Sequence, residues 1–184
     1  MRKIDEKILY RGKWISLKEI TYRGKKNDEL KWESVERTNT VNTVVMLSKL
    51  IPSNRYILIK QYRAAIDNYV IGFPAGLMEN DDAAENALRE LKEETGYIGK
   101  VGSESPLLYS NAALLSDTVR LLGITVDENL PENKNPKQEL EDSEDIEVIL
   151  IEKHKIIDFL KKEQKSGTAL GIGCWYVFCG LQNN

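Results

Sequence analysis

The chain has 184 residues, enough for one domain with an attached arm but too few for two domains of ordinary size. Hydrophobic residues make up 41% and charged residues 30%, which excludes intrinsic disorder and predicts a globular core. The formal net charge of -3 argues against a dedicated nucleic-acid surface. That charge is unevenly spread, because residues 127 to 147 hold nine acids and two lysines, a net of -7 that leaves +4 for the remainder.

The N-terminus and the cysteines indicate a cytoplasmic protein that does not enter a membrane. The run from Met1 to Trp14 is charged throughout and lacks the apolar core of a signal peptide. No later stretch approaches the roughly 18 uninterrupted apolar residues of a membrane span. Cys174 and Cys179 lie five positions apart, which suits neither a stapling disulfide nor a paired zinc knuckle, so we predict two free core thiols.

Short strand-like runs separated by turn residues dominate the first part of the chain. They predict an antiparallel β arm over residues 1–40, followed by a single domain over residues 41–184. The predicted arm strands are Lys7 to Arg11, Trp14 to Tyr22 and Lys31 to Arg37. The domain is predicted to open with two paired, buried strands and a shorter third, at Thr43 to Leu47, Tyr56 to Tyr62 and Tyr69 to Phe73.

A helix is predicted over Ala83 to Thr95. Apolar side chains recur there at the i, i+3, i+4, i+7 spacing of one buried face, at Ala84, Ala87, Leu88 and Leu91. Asp82 is the predicted N-cap, Glu85 resembles the far half of a capping box, and Gly96 supplies a left-handed stop.

The remaining elements lie on either side of the acid-rich residues 127–147, here called the acidic segment. Strands are predicted at Ser105 to Ser110, Thr118 to Val126 and Glu147 to Ile151, and a helix at Lys153 to Lys165. The closing stretch Thr168 to Leu181 is apolar and aromatic, but its glycines leave helix and strand open; we favour a helix.

The predicted helix carries three carboxylates at the border of its apolar face. At 100° per residue, Glu90, Glu93 and Glu94 fall within about a third of the circumference. Like charges so placed repel one another, and more strongly when partly buried, so a cation is expected there. Oxygen ligands without nearby His or Cys suit Mg²⁺ or Mn²⁺. The alternative is an ordinary solvated helix face.

The flanking residues favour the metal site, because they resemble a known motif. Gly76 to Asp82 followed by Arg89 to Tyr97 resembles the Nudix box: a glycine, a spaced acid, then Arg-Glu-apolar-x-Glu-Glu-x-Gly-apolar. The family's box is one residue longer between the glycine and the arginine. A deletion near Asn80 to Asp82 therefore places Asp81 or Asp82 where a glutamate is usual.

Four further segments resemble landmarks of the ADP-ribose and ADP-sugar pyrophosphatase branch of Nudix hydrolases. They are Trp32 to Arg37, Ile59 to Arg63, Phe73 to Leu77 and Glu144 to Val148. The resemblance implies an α+β protein with the Nudix fold, an α/β/α sandwich around a mixed sheet preceded by the β arm. It also implies hydrolysis of ADP-ribose to AMP and ribose 5-phosphate. The Pro-Gly landmark of the branch is replaced by Ser110 to Leu114, which bears on the substrate and not on the reaction type.

The resemblance also implies roles for individual residues. The Ala75 carbonyl, Glu90 and Glu94 would hold Mg²⁺ or Mn²⁺, with Glu93 a further ligand, while Arg89 would orient the glutamates. Glu144 would be the catalytic base or the partner of a metal-bound water, with Glu141 the second candidate. Substrate contacts would come from Arg37 and Arg63 on the diphosphate, from Leu77, and from Trp32 and Trp14 stacking on adenine.

Two other readings stay open at this point. The protein could hydrolyse a different nucleotide sugar or a dinucleotide, or it could be a non-catalytic module that binds ADP-ribose or a nucleotide. The complete set of box carboxylates favours an enzyme, since a sensor has no need of three mutually repelling acids. The arm resembles arms exchanged between subunits in this branch, which predicts a homodimer with adenine held partly by the partner's tryptophan.

Overall fold

A computed structural model of the protein describes residues 1–40 and 42–179. Within residues 1–40, three antiparallel strands form a separate sheet: β1 (Arg2–Arg11), β2 (Ile15–Arg23) and β3 (Glu29–Arg37). β2 and β3 pair along their whole length, from Ile15 opposite Arg37 to Arg23 opposite Glu29. The predicted antiparallel arm is confirmed, and its first strand is longer than expected. The boundary between arm and domain at residue 40 stays a prediction.

A mixed sheet forms the centre of the remaining chain. Among the described residues it contains β4 (Asn42–Ile51), β5 (Arg55–Arg63), β6 (Asn68–Gly72), β7 (Ala75–Leu77), β8 (Lys100–Glu104), β9 (Leu108–Tyr109), β10 (Thr118–Asp127), β11 (Ile146–Glu152) and β12 (Ala169–Leu170). The order is β12-β6-β5-β4-β10-β8, with β11 on β5, β7 on β4 and β9 on β10. β4 runs parallel to β10 and antiparallel to β5, which confirms the mixed sheet.

Helices cover both faces of this sheet. The helices are α1 (Ala83–Thr95), the short α2 (Pro131–Lys134), α3 (Ile156–Lys165) and α4 (Ile172–Cys179). Ala87 and Leu91 of α1 are fully buried in one core cluster with Val44 and Met46 of β4. A second cluster joins α3 and α4 to Leu58 and Ile71 on the other face. Apolar surface is thus removed from water on both sides of the sheet, and the predicted α/β/α sandwich is confirmed.

Helix α1 begins and ends where the sequence predicts. The Asp82 carboxylate accepts the Glu85 N–H at 3.0 Å, and Gly96 adopts a φ of 74° while its N–H donates to the Lys92 carbonyl. The prediction that Glu85 completes a capping box is wrong. The Asp82 N–H donates to Asn80 Oδ1 at 2.9 Å instead of to the Glu85 side chain. Buried Asn86 accepts the Glu79 N–H at 2.8 Å and thereby holds the shortened loop before the helix.

Two other elements differ from the sequence-based prediction. Of the strand expected at Ser105 to Ser110, only Leu108–Tyr109 forms a strand, β9, while β8 ends before it at Glu104; Pro106, which has no N–H for a ladder bond, lies between the two. Residues 153–155 form a 3-10 turn before α3. The favoured helix near the C-terminus is confirmed for α4 after the short β12, while Gly180 and Leu181 lie outside the described residues.

The two cysteines lie in or beside the core and form no disulfide. Cys174 is buried and Cys179 partly buried, and both thiols are free. Over residues 1–40 and 42–179, no helix is long and apolar enough to cross a membrane.

Candidate active site

A cavity of about 890 Å³ opens beside α1 and β7. Its wall comes from α1, from β7, from the end of β5 and from the acidic segment before β11. It brings together residues that the sequence predicts on separate elements. Lining residues from the predicted set are Trp14, Arg37, Arg63, Ala75, Leu77, Arg89, Glu90, Glu93, Glu94, Glu141 and Glu144.

Glu94 lies deepest among the carboxylates of α1. The residue is 2% exposed, and its Oε2 accepts a 2.9 Å hydrogen bond from the N–H of Ala75. Burial raises the pKa of Glu94 to about 8; the charges of Glu90 and Glu144 add to the shift, and the Ala75 hydrogen bond opposes it.

Glu90 packs directly against the backbone of β7. A Cβ placed on Gly76 would lie 1.9 Å from the Glu90 Cδ, so the carboxylate occupies space that only glycine leaves open. Burial is the largest cause of the raised pKa of Glu90, and the neighbouring Arg89 guanidinium opposes it. A side chain at position 76 would therefore displace the Glu90 carboxylate, whereas the backbone conformation of Gly76 does not itself call for glycine.

Arg89 bridges two of the motif glutamates. Its Nη2 donates to Glu90 Oε1 at 2.8 Å and its Nη1 to Glu93 Oε2 at 2.7 Å. The same Nη2 lies 3.4 Å from the Leu77 carbonyl. This arrangement is that of a residue orienting the glutamates by ion pairing, as the resemblance implies.

The backbone of β7 turns the Ala75 carbonyl away from the sheet. The Pro74 carbonyl accepts the Met46 N–H at 2.9 Å, and the Met78 N–H donates to the Asn42 carbonyl at 3.0 Å. Successive residues of β7 therefore direct their N–H and C=O groups alternately towards β4 and towards the side of β7 that faces away from β4. The Ala75 N–H faces that opposite side, where it meets Glu94. The same alternation directs the Ala75 carbonyl towards the side on which the glutamates lie.

The donors in this wall suit a hard divalent cation. They are carboxylate and carbonyl oxygens, and burial together with mutual repulsion raises the pKa of both Glu90 and Glu94. In the described part of the chain, no three His, Cys, Asp or Glu side chains converge as a ready coordination shell. Arg89 engages oxygens of Glu90 and Glu93 in this arrangement. The residues fit Mg²⁺ or Mn²⁺ in donor type.

The same cavity is lined by predicted substrate-binding residues. Arg37 and Arg63 both line the cavity, and Arg37 Nε lies 3.0 Å from Asp117 Oδ2. Trp14 also lines it, is 63% exposed, and has Lys13 Nζ 4.4 Å from its ring centroid. Two guanidinium groups, one aromatic ring and the carboxylates therefore line a single cavity.

Trp32 does not line this cavity within one chain. Its indole N–H donates to the Ala113 carbonyl at 2.7 Å, and it borders a smaller apolar groove that also contains Tyr109. Trp14 and Trp32 therefore line two different cavities of one subunit. An adenine contact by Trp32, which is 51% exposed, would need a second subunit and stays a prediction.

The acidic segment delivers Glu144 to the cavity. The Glu144 N–H donates to the Glu141 carbonyl at 2.9 Å, and the Glu141 N–H donates to Glu144 Oε2 at 3.0 Å, which closes a tight turn. The charge of Glu144 contributes to the raised pKa values of Glu90 and Glu94, so this side chain lies near both.

Three residues at the site were not predicted as site residues from the sequence. Gln61 is 7% exposed, lines the cavity and has an Oε1 without a hydrogen-bond partner among the described residues. Asp117 holds Arg37, and Gln138 contacts the end of α1. Gln61 stands inside the motif-like run Ile59 to Arg63, which is a usable signal. Asp117 and Gln138 act over sequence separations of 80 and 44 residues, which no local pattern reports.

The fold and this carboxylate-lined cavity agree with a match between residues 39–167 and the model of the NUDIX domain. The chain belongs to the Nudix family. It is 36% identical over 167 residues to the ADP-ribose pyrophosphatase of Saccharomyces cerevisiae, covering 86% of this chain and 72% of that one. It is 32% identical over 171 residues to the ADP-sugar pyrophosphatase of Mus musculus, covering 87% and 78%. A crystal structure of an ADP compounds hydrolase matches the fold with a TM-score of 0.67 at 18% identity, covering 87% of this chain and 82% of that one.

Proposed function

We propose that this protein hydrolyses the pyrophosphate bond of a nucleoside diphosphate sugar with the help of Mg²⁺ or Mn²⁺. ADP-ribose is the proposed substrate, and AMP and ribose 5-phosphate are the proposed products. The observation that carries the proposal is the cavity itself, which the glutamates of α1 line together with Arg37 and Arg63. The names of the yeast and mouse relatives, an ADP-ribose and an ADP-sugar pyrophosphatase, support the substrate class.

The charges of the cavity explain why a cation and a diphosphate would bind together. A diphosphate is repelled by carboxylates, and those carboxylates repel one another, unless a divalent ion lies between them. The Ala75 carbonyl, Glu90 and Glu94 would hold the ion, with Glu93 as a further ligand. When bound, it would neutralise phosphate charge and lower the pKa of water. Arg37 and Arg63, which line the same cavity, would bind the phosphate oxygens through their planar guanidinium groups.

Glu144 is the proposed general base. It lines the cavity, and its charge acts on Glu90 and Glu94, so it lies near the proposed metal ligands. A carboxylate there would accept the proton of the attacking water as the new bond to phosphorus forms and the bridging oxygen leaves with AMP or ribose 5-phosphate. Glu141, which shares the turn, is the second candidate. Leu77 would contact the substrate from β7.

The arm supports a homodimer as part of this proposal. β1 is exposed along its length and forms the edge of its sheet, and Ile4, Ile8 and Tyr10 are exposed large apolar side chains on it. An unpaired edge with exposed apolar side chains is a pairing surface. In the dimer, adenine would stack on Trp14 of one subunit and Trp32 of the other. Light scattering at micromolar concentration should give twice the monomer mass, and a monomer would contradict the dimer.

We further propose a cytoplasmic location, which suits the two free thiols.

A panel of nucleotide sugars and dinucleotides incubated with Mg²⁺, with product identification, tests the proposed reaction. We expect metal-dependent release of AMP and ribose 5-phosphate from ADP-ribose. Cleavage of a different nucleotide diphosphate would keep the reaction and replace the substrate. Tight binding of ADP-ribose without turnover under any metal would contradict an enzyme and favour a binding module.

A further inference from the structure

We infer that Gln138 is a positioning residue, which ties the C-terminal turn of α1 to the start of β11 and thereby fixes where Glu144 stands. This inference rests on the proposed function of Glu144. The supporting observation is that one side-chain amide donates two hydrogen bonds. Gln138 Nε2 lies 2.7 Å from the Glu94 carbonyl oxygen and 3.1 Å from the Ile146 carbonyl oxygen. The first carbonyl belongs to the helix of the glutamates, and the second follows Glu144 by two residues.

Further contacts hold residues 137–139, just before the Glu141–Glu144 turn, against α1. The Glu139 N–H donates to the Glu93 carbonyl at 2.8 Å. A Cβ placed on Gly96 would lie 2.3 Å from the Lys137 backbone nitrogen, so the segment passes very close to the end of the helix. The last carbonyls of a helix have no partner within it, and Gln138 and Glu139 supply donors to two of them.

The far end of the segment is held on the sheet. The Tyr62 N–H donates to the Asp145 carbonyl at 3.2 Å, and the Tyr69 hydroxyl donates to the Asp145 carboxylate. Between the two anchored ends, the hydrogen bonds of the described residues 140–144 run between Glu141 and Glu144. The hydrogen bonds of residues 138, 139 and 145 therefore set the position of Glu144 relative to the glutamates of α1. Among these residues, Gln138 donates both to α1 and to β11.

Only a side chain with two donors can make this tie. An amide NH₂ offers two N–H groups, while a glutamate offers none and an apolar side chain offers none. The opposite orientation of the amide would aim an acceptor oxygen at two carbonyl oxygens, so the hydrogen-bond network assigns the nitrogen to this position. Gln138→Met keeps the length of the side chain and removes both donors.

The test compares Gln138→Met with Lys92→Met. Lys92 forms an exposed ion pair with Glu139 of the same segment at 2.8 Å, so it is a matched control that leaves the amide tie intact. Because a small misplacement of a catalytic group is costly, we expect Gln138→Met to lower kcat by about 10- to 100-fold with KM within about twofold, and Lys92→Met to change kcat less than about twofold. Equal kcat in the wild type and Gln138→Met would overturn the inference. Gln138→Ala serves if the methionine variant does not fold.

A double-mutant cycle shows whether Gln138 acts through Glu144. In a Glu144→Gln background, Gln138→Met should cause no further loss of kcat, because the group that it positions is already absent. Losses that multiply would overturn the inference.

A readout without turnover separates this inference from the proposed function. Amide hydrogen exchange of residues 139–145 in the metal-free protein should be faster in Gln138→Met and unchanged in Lys92→Met. Unchanged exchange in both overturns the tie whatever the activity. Faster exchange in a protein that cleaves no nucleotide sugar would support the tie and contradict the proposed reaction.

Discussion

The N–H of Ala75 donates a 2.9 Å hydrogen bond to Oε2 of Glu94, joining a three-residue strand to the last turn of α1. Ala75 is held on its other side by β4, through the Pro74 carbonyl. The strand that carries the proposed carbonyl ligand and the helix that carries the glutamates are therefore fixed relative to each other before any ligand binds. Such fixed donors are the basis of electrostatic preorganisation.

Glu94→Gln should abolish the proposed metal-dependent hydrolysis while leaving the fold intact. Glutamine has nearly the same volume, and its amide oxygen can still accept the Ala75 N–H, but it offers no carboxylate to a cation. We expect release of AMP from ADP-ribose to fall at least about 100-fold and the melting temperature to stay within a few degrees. Glu85→Gln, on an exposed first-turn residue of the same helix, is the control. Near-wild-type turnover of Glu94→Gln would remove Glu94 from the metal site.

Gly76→Ala should impair both stability and turnover. The added methyl would lie 1.9 Å from the Glu90 Cδ, so either the strand or the glutamate must move. We expect a loss of about 1–3 kcal/mol in the free energy of unfolding, measured by urea denaturation, together with lower kcat. Gly102→Ala in β8 is the matched control, since its new Cβ would meet its nearest neighbour at 3.7 Å. Equal stabilities for the two variants would show that Glu90 does not occupy this space in solution.

Glu144→Gln should lower kcat strongly with little change in KM. The amide keeps the shape of the turn but cannot accept a proton from water, and general-base catalysis contributes about 10²- to 10⁴-fold. Steady-state kinetics with ADP-ribose measure both constants, and Glu141→Gln is the companion variant. A large kcat loss in Glu141→Gln alone would exchange the two roles, whereas a pure KM effect in both would place the base elsewhere.

Cys174 should resist alkylation in the folded protein, and Cys179 should react first. Burial raises the pKa of the Cys174 thiol to about 12, so at pH 8 almost none of it is thiolate, and the thiolate is the reactive form. Because the folded state holds this proton more tightly than the unfolded state, its contribution to stability is present below pH 9 and is lost as pH rises from 9 towards 12. Mass spectrometry after iodoacetamide treatment, with and without urea, reads out both thiols. Rapid native labelling of Cys174 would contradict its burial.

The local features of α1 could be predicted because they depend on neighbours in sequence. The apolar stripe, the Asp82 cap and the Gly96 stop require residues three or four positions apart, and the helix spans the residues that the sequence predicts. The strand expected at Ser105 to Ser110 is confirmed only for Leu108–Tyr109, because strand pairing there depends on β10, which comes later in the chain, and Pro106 has no N–H to donate.

Residue types and their spacing along the chain therefore determined the helix and the set of carboxylates, because 3.6-residue periodicity and capping are short-range properties, while the fold class came from the resemblance to the Nudix family. Only the tertiary structure decided which of these groups meet. It buries Glu94 more deeply than Glu93, it places Trp14 and not Trp32 at the cavity, and it joins Arg37 to Asp117 and Gln138 to the end of α1. Burial and through-space contacts between residues tens of positions apart depend on how the elements pack, and no local pattern encodes that packing.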